Sequence, residues 1–144
     1  IYTGNPAGRS MALDLNSGER LWTADLGALG PPLVAGGSAF VISDQNELVR
    51  LDAGSGEVIW SVDLPYFTRE RLRRRNAIFD HYGPIMAGSR LIVVSGDDRL
   101  RVFSPQSGAL LGSIDLPGGA TGLPAVANGT LYVVSGSGQL HAYR

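Results

Sequence analysis

The apolar positions of this chain fall into short blocks. The runs Ala39-Phe40-Val41-Ile42, Leu91-Ile92-Val93-Val94 and Leu131-Tyr132-Val133-Val134 are bounded by glycine or asparagine and rich in β-branched residues. They lack the 3.6-residue period of an amphipathic helix, so they predict strands. Each run follows a proline-led landmark: residues 32–37 (PLVAGG), 84–89 (PIMAGS) and 124–129 (PAVANG). A third pattern surrounds a serine–glycine pair. Residues 12–22 (ALDLNSGERLW) return as 50–60 (RLDAGSGEVIW) and, weakened, as 102–112 (VFSPQSGALLG), and the copies run on to Asp25-Leu26, Asp63-Leu64 and Asp115-Leu116.

One repeat therefore holds four strands: a short one after the proline, the apolar run, a strand such as 47–52, and a strand ending in tryptophan. Asn46, Asp97-Asp98 and Gly136-Ser137-Gly138 occupy the hairpin between the second and third strands, where positive φ is often required. The serine–glycine pair makes the next hairpin, its glycine supplying a backbone angle that a β-carbon opposes. A period of about 40 residues with four strands is the pattern of a propeller blade. The predicted fold class is all-β, a partial β-propeller of four-stranded antiparallel blades, with about 3.5 blades in the chain.

The strand tally is three, then two complete sets of four, then three. It divides the chain into a partial blade over 1–26, a blade over 30–64, an insertion over 65–82, a blade over 83–116 and a partial blade over 123–144 without its outer strand. Closed propellers carry about 4 to 8 blades, so the expectation is the C-terminal segment of a larger ring. Taken alone, such a segment has two open blade faces and is expected to self-associate through them.

Composition changes this picture little. Hydrophobic residues make up 44% of 144 and charged residues 17%, with 20 glycines, which describes a folded chain with many tight turns. The net charge of −1 provides no global field for nucleic acid or an anionic membrane. All twelve basic residues are arginine, and cysteine is absent, which removes disulfides, thiolate nucleophiles and Cys-ligated metals. No apolar run approaches the length of a membrane-spanning helix, and residues 1–4 (IYTG) do not resemble a signal peptide.

The form Ala-x-Asp-x-x-Thr-Gly-x-x-x-Trp marks the repeat named after pyrroloquinoline quinone. Residues 12–22 resemble it with Ser17 in place of threonine; residues 50–60 keep Asp52, Gly56 and Trp60 but carry Arg50 for the alanine; the third copy keeps Gly108 and loses the aspartate and the tryptophan. Within this class the chain most resembles the C-terminal blades of the BamB family of outer-membrane assembly lipoproteins, in blade spacing and in the run 41–46 (VISDQN). That resemblance implies a non-enzymatic scaffold, periplasmic and held at the outer membrane by lipid. The implied partners are the barrel-assembly protein of that membrane and unfolded outer-membrane proteins. The alternative it leaves open is a noncatalytic portion of a quinone- and calcium-dependent dehydrogenase.

Candidate chemistry is sparse. Asp14, Gly18, Trp22, Asp52, Gly56, Trp60 and Gly108 read as structural repeat residues: aspartates for turns or inter-blade hydrogen bonds, tryptophans docking between blades through ring and indole N–H. Asp97-Asp98 is the only adjacent acidic pair and falls in a hairpin, where aspartate is common for conformational reasons. His81 and His141 have no other ligands at zinc spacing, so no catalytic residue, metal site or cofactor is expected. The irregular feature is the insertion. Gly18 and Gly56 are 38 residues apart and Gly56 and Gly108 are 52 apart, and the added stretch holds Arg69, Arg71, Arg73, Arg74 and Arg75 against Glu70. These arginines are the candidate partner-binding residues, for an acidic protein surface or lipid head groups; the bland reading is a solvated loop pairing with neighbouring carboxylates. Tyr66, Phe67, Ile78 and Phe79 flank the charges and are expected to anchor both ends on the propeller. Nucleic acid is not an expected partner, because aromatic residues are not interleaved with the arginines.

Overall fold

The computed structural model describes residues 1–68 and 77–144. Among them there is no helix, and the strands form four antiparallel sheets, each a simple meander in chain order. The first sheet is β1 (Tyr2–Asn5), β2 (Arg9–Leu13) and β3 (Arg20–Ala24). The second is β4 (Leu33–Ala35), β5 (Ser38–Ile42), β6 (Glu47–Asp52) and β7 (Val58–Asp63). The third is β8 (His81–Ala87), β9 (Arg90–Ser95), β10 (Arg99–Phe103) and β11 (Leu110–Asp115). The fourth is β12 (Ala125–Ala127), β13 (Thr130–Val134) and β14 (Leu140–Tyr143). This is a partial β-propeller with the strand count three, four, four, three.

Burial within a sheet explains the sequence blocks. Every residue of β5 and five of the six in β9 are buried, so these strands read as continuous apolar runs rather than as alternation. The last strands face water: all six residues of β11 are exposed. The strands that lead into the three serine–glycine turns, β2, β6 and β10, each carry a register shift just before the turn, between Ala12 and Leu13, Arg50 and Leu51, and Val102 and Phe103. Such a bulge bends the strand where the turn begins.

By internal contacts the chain forms two compact units. The first comprises residues 1–64 with 105–108, and the second 65–104 with 109–144. In the first, Ala28, Ala39, Val41, Val49 and Leu51 form the core, with Tyr2, Trp22 and Leu26 packed against it. In the second, Ile92, Val94, Leu100, Leu116, Ala120, Leu131 and Val133 fill the space between the third and fourth sheets. One boundary differs from expectation. β8 starts at His81, two residues inside the stretch assigned to the insertion, because His81 and Tyr82 pair with Ser95 and Val94 ahead of a register shift.

Candidate functional site

The repeat residues build inter-sheet joints. Asp14 and Asp52 each accept two backbone N–H bonds within their own turn, from Asn16 and Ser17 at 2.8 Å and from Gly54 and Ser55 at 2.9 and 2.8 Å. These bonds favour the ionised carboxylate and hold both groups below the ordinary aspartate range. The following glycines, Gly18, Gly56 and Gly108, have φ of 73°, 78° and 74°. A β-carbon on Gly56 would lie 2.5 Å from Cε3 of Trp22, and one on Gly108 would lie 2.9 Å from Cε3 of Trp60. Glycine is therefore required twice at these positions, by backbone angle and by the ring seated on it. The Trp22 indole N–H donates to the Ala53 carbonyl at 2.9 Å, beside the Tyr2 ring and hydroxyl, which donates to the same oxygen at 3.2 Å. Trp60 repeats the arrangement on the 105–108 turn, donating to Pro105 at 3.3 Å beside the Phe40 ring.

Of the candidate binding residues, Arg69, Arg71, Arg73, Arg74 and Arg75 lie outside the described residues. The chain on either side of them is described, and it departs from the expected anchoring. The two ends pair with each other: Phe67 bridges Ile78, the Thr68 N–H donates to Ala77 at 3.1 Å and the Phe79 N–H to Tyr66 at 2.9 Å. Tyr66, Phe67 and Ile78 are exposed, and the Tyr66 and Phe67 rings sit 4.7 Å apart. Backbone pairing satisfies the polar groups that an extended loop leaves open, so the stem closes on itself, with Phe79 half-buried.

A polar network at the foot of this stem has no counterpart in the sequence reading. His81 is buried, with Nδ1 2.6 Å from the Ser95 hydroxyl and Nε2 2.8 Å from the Pro65 carbonyl. A carbonyl only accepts, so Nε2 carries the proton and donates to Pro65, and Nδ1 accepts from Ser95. Burial pushes the His81 pKa below its ordinary value, against the opposing pull of the Pro65 bond and of Asp97. Arg101 donates to Ser95 Oγ at 3.2 Å and forms a two-pronged ion pair with Asp97. The signal was present as Asp97 and Arg101 four residues apart across a hairpin, but register rather than spacing makes them meet. His141 packs on Tyr143, with ring centroids 6.3 Å apart. Among the described residues no three His, Cys, Asp or Glu side chains converge as metal ligands, and the Asp97 carboxylate is taken by Arg101.

Comparison with known proteins decides the family. The sequence model of the outer membrane protein assembly factor BamB matches residues 7–111 and 98–144, which together span nearly the whole chain. The chain belongs to the BamB family. Assembly factors of that name from Legionella pneumophila (strain Paris) and Yersinia pestis are 26% and 25% identical to it over 140 and 145 residues, 97% and 99% of this chain. It spans about a third of their length, 34% in each case. The crystal structure of BamB from Moraxella catarrhalis superposes with a TM-score of 0.78 at 22% identity, over 99% of this chain and 45% of that one. A quinohemoprotein alcohol dehydrogenase from Pseudomonas putida HK5 superposes with a TM-score of 0.69 at 19% identity, over 92% of this chain and 26% of that one. At that identity the likeness is one of fold.

Proposed function

We propose that this chain is a segment of a non-enzymatic binding protein that serves outer-membrane β-barrel assembly through protein–protein contacts at the periplasmic side of that membrane. The observation that carries the reading is membership of the assembly-factor family along nearly the whole chain. The residues support it physically. The repeat positions are spent on turns and on indole–glycine joints, which make a rigid platform. The local excess of charge, five arginines against Glu70, falls in sequence between the segments 66–68 and 77–79, which pair with each other. Arginine suits such a contact because its planar fork meets carboxylates in a bidentate fashion.

The partner in this reading is an acidic surface on the barrel-assembly protein. The test is co-elution of the full-length protein with the periplasmic domains of that partner. Replacing Arg69, Arg71, Arg73, Arg74 and Arg75 by serine should weaken association by about tenfold or more, at about 0.2–1 kcal/mol per rim ion pair. Absence of association up to about 100 μM, far weaker than specific complexes require, would remove the reading. Association that the five-serine protein retains in full would move the contact elsewhere on the platform.

A further inference from the structure

The two sides of the stem are joined by a short ladder of hydrogen bonds whose last rung is a side chain. The Thr68 N–H donates to Ala77 at 3.1 Å and the Phe79 N–H to Tyr66 at 2.9 Å. Next comes Pro65, which has no N–H, so only its carbonyl can continue the ladder. The donor that reaches it is His81 Nε2–H, at 2.8 Å. That ring stands opposite Ser95 in the β8–β9 register and is 6% exposed. Behind it the donors run in one direction. Arg101 donates to Ser95 Oγ, the Ser95 hydroxyl donates to His81 Nδ1, and Nε2–H donates to Pro65. The carbonyl at one end only accepts and the guanidinium at the other only donates, so no bond of this relay can be reversed.

We infer that this relay is a proton-operated latch: a proton taken up at His81 Nδ1 releases the ring from Ser95 and Pro65 and opens the foot of the stem. A protonated Nδ1 is a donor, which leaves Ser95 Oγ facing two donors while its own hydrogen loses the nitrogen it served. The new charge also arises in a buried site near Arg101. Asp97 and Asp80 pull the other way, but Asp97 is held by its two-pronged pair with Arg101 and Asp80 is exposed. These three are the charged groups that act on the ring, from β10, from the β9–β10 hairpin and from the residue ahead of β8. Moving the ring into water relieves both costs and removes the rung at Pro65. What remains is a short hairpin with Tyr66, Phe67 and Ile78 exposed, and a two-stranded hairpin on its own is marginal in water. The latched ring resists a proton that a ring in water accepts near pH 6.5, so the ratio of open to latched stem rises by up to about tenfold for each pH unit below about 6.5, until the pKa of the latched ring is passed. The inference concerns the stem alone and does not rest on the proposed function.

The test is amide hydrogen exchange on the full-length protein, expressed as protection factors so that the pH dependence of the intrinsic exchange rate drops out. Protection at Thr68 and Phe79 should fall by about tenfold or more between about pH 7.5 and about pH 5, while β9 and β10 keep theirs within about twofold. His81→Gln carries an amide donor on a chain of similar reach and does not titrate, so it should hold the stem protection constant across that range. Nitrogen signals of the wild-type imidazole, read by NMR, keep the test decisive where that variant does not fold. They should show Nε2–H alone at about pH 7.5 and protonation with the same midpoint as the loss of stem protection. Stem protection that is independent of pH overturns the inference. So does a loss that persists in folded His81→Gln protein, a loss shared equally by β9 and β10, or protonation of His81 with the stem still protected. The assay contains no partner, so none of these outcomes bears on barrel-assembly binding.

Discussion

Replacing Gly56 by alanine isolates the joint between the first and second sheets. With φ at +78°, an L-residue there costs about 1–2 kcal/mol for the left-handed conformation alone. The added β-carbon also lies 2.5 Å from Cε3 of Trp22, a ring fixed by Tyr2 and by its bond to Ala53, and overpacking of that kind adds about 1–3 kcal/mol. Gly37 is the control. It sits in another hairpin of the same sheet at φ +72°, and a β-carbon there would meet nothing within 4 Å. Urea unfolding of the full-length protein should therefore show a loss of about 1–2 kcal/mol for Gly37→Ala and about 2–5 for Gly56→Ala, read from midpoints at unchanged slope. In a Trp22→Ala background the steric part vanishes and Gly56→Ala should fall to the Gly37 value, a coupling of about 1–3 kcal/mol. Equal losses at the two glycines, or strict additivity with Trp22→Ala, would refute the docking argument.

Two further outcomes follow from the second unit. Arg101→Ala should cost about 2–4 kcal/mol, because it leaves Asp97 charged in a site where the paired side chains are only 13% and 10% exposed. Arg99→Ala should cost under about 1 kcal/mol, since its pair with Asp115 is 48% and 78% exposed, and thermal melting ranks the two. His81, whose pKa is lowered by burial, makes stability pH-dependent in a definite direction. The unfolded chain takes up a proton near pH 6.5 that the folded imidazole resists, so stability falls as pH drops through about 6.5 and continues to fall until the folded-state pKa is passed. His81→Asn should flatten that part of a pH-dependent unfolding profile; a slope unchanged by the substitution would contradict the assignment.

Strand order was legible because buried strands read as unbroken apolar runs and every turn carries its own chemistry. Asn46, Asp98 and Gly138 have φ of 59°, 62° and 77°, the left-handed angles their residue types permit. Docking of the tryptophans between blades was implied by the repeat class, but not their seats: Trp22 follows Gly18 by four residues and yet rests on Gly56, in the turn of the next sheet. What stayed hidden depends on register between distant strands. The His81–Ser95 bond spans 14 residues and exists because those residues face each other across β8 and β9. The pairing of 66–68 with 77–79 was hidden for the same reason, since it joins backbone on the two sides of a charged segment whose aromatic flanks suggested only side-chain anchoring.

A departure from the repeat can be absorbed within the fold, and Arg50 shows how. It stands where the first copy has Ala12, opposite the docking tryptophan. An alanine there leaves the indole as sole occupant of the cross-strand site. The Arg50 guanidinium instead donates to the Pro105 and Gln106 carbonyls at 3.3 and 3.1 Å and lies over the Phe40 ring, while its Nε binds Ser38 at 2.9 Å. The Pro105 oxygen then receives two donors, and the indole bond is 3.3 Å rather than the 2.9 Å found at Ala53. A carbonyl has two lone pairs, so the Pro105 oxygen accommodates both the indole and the guanidinium. The change at Arg50 is thus compensated inside the fold.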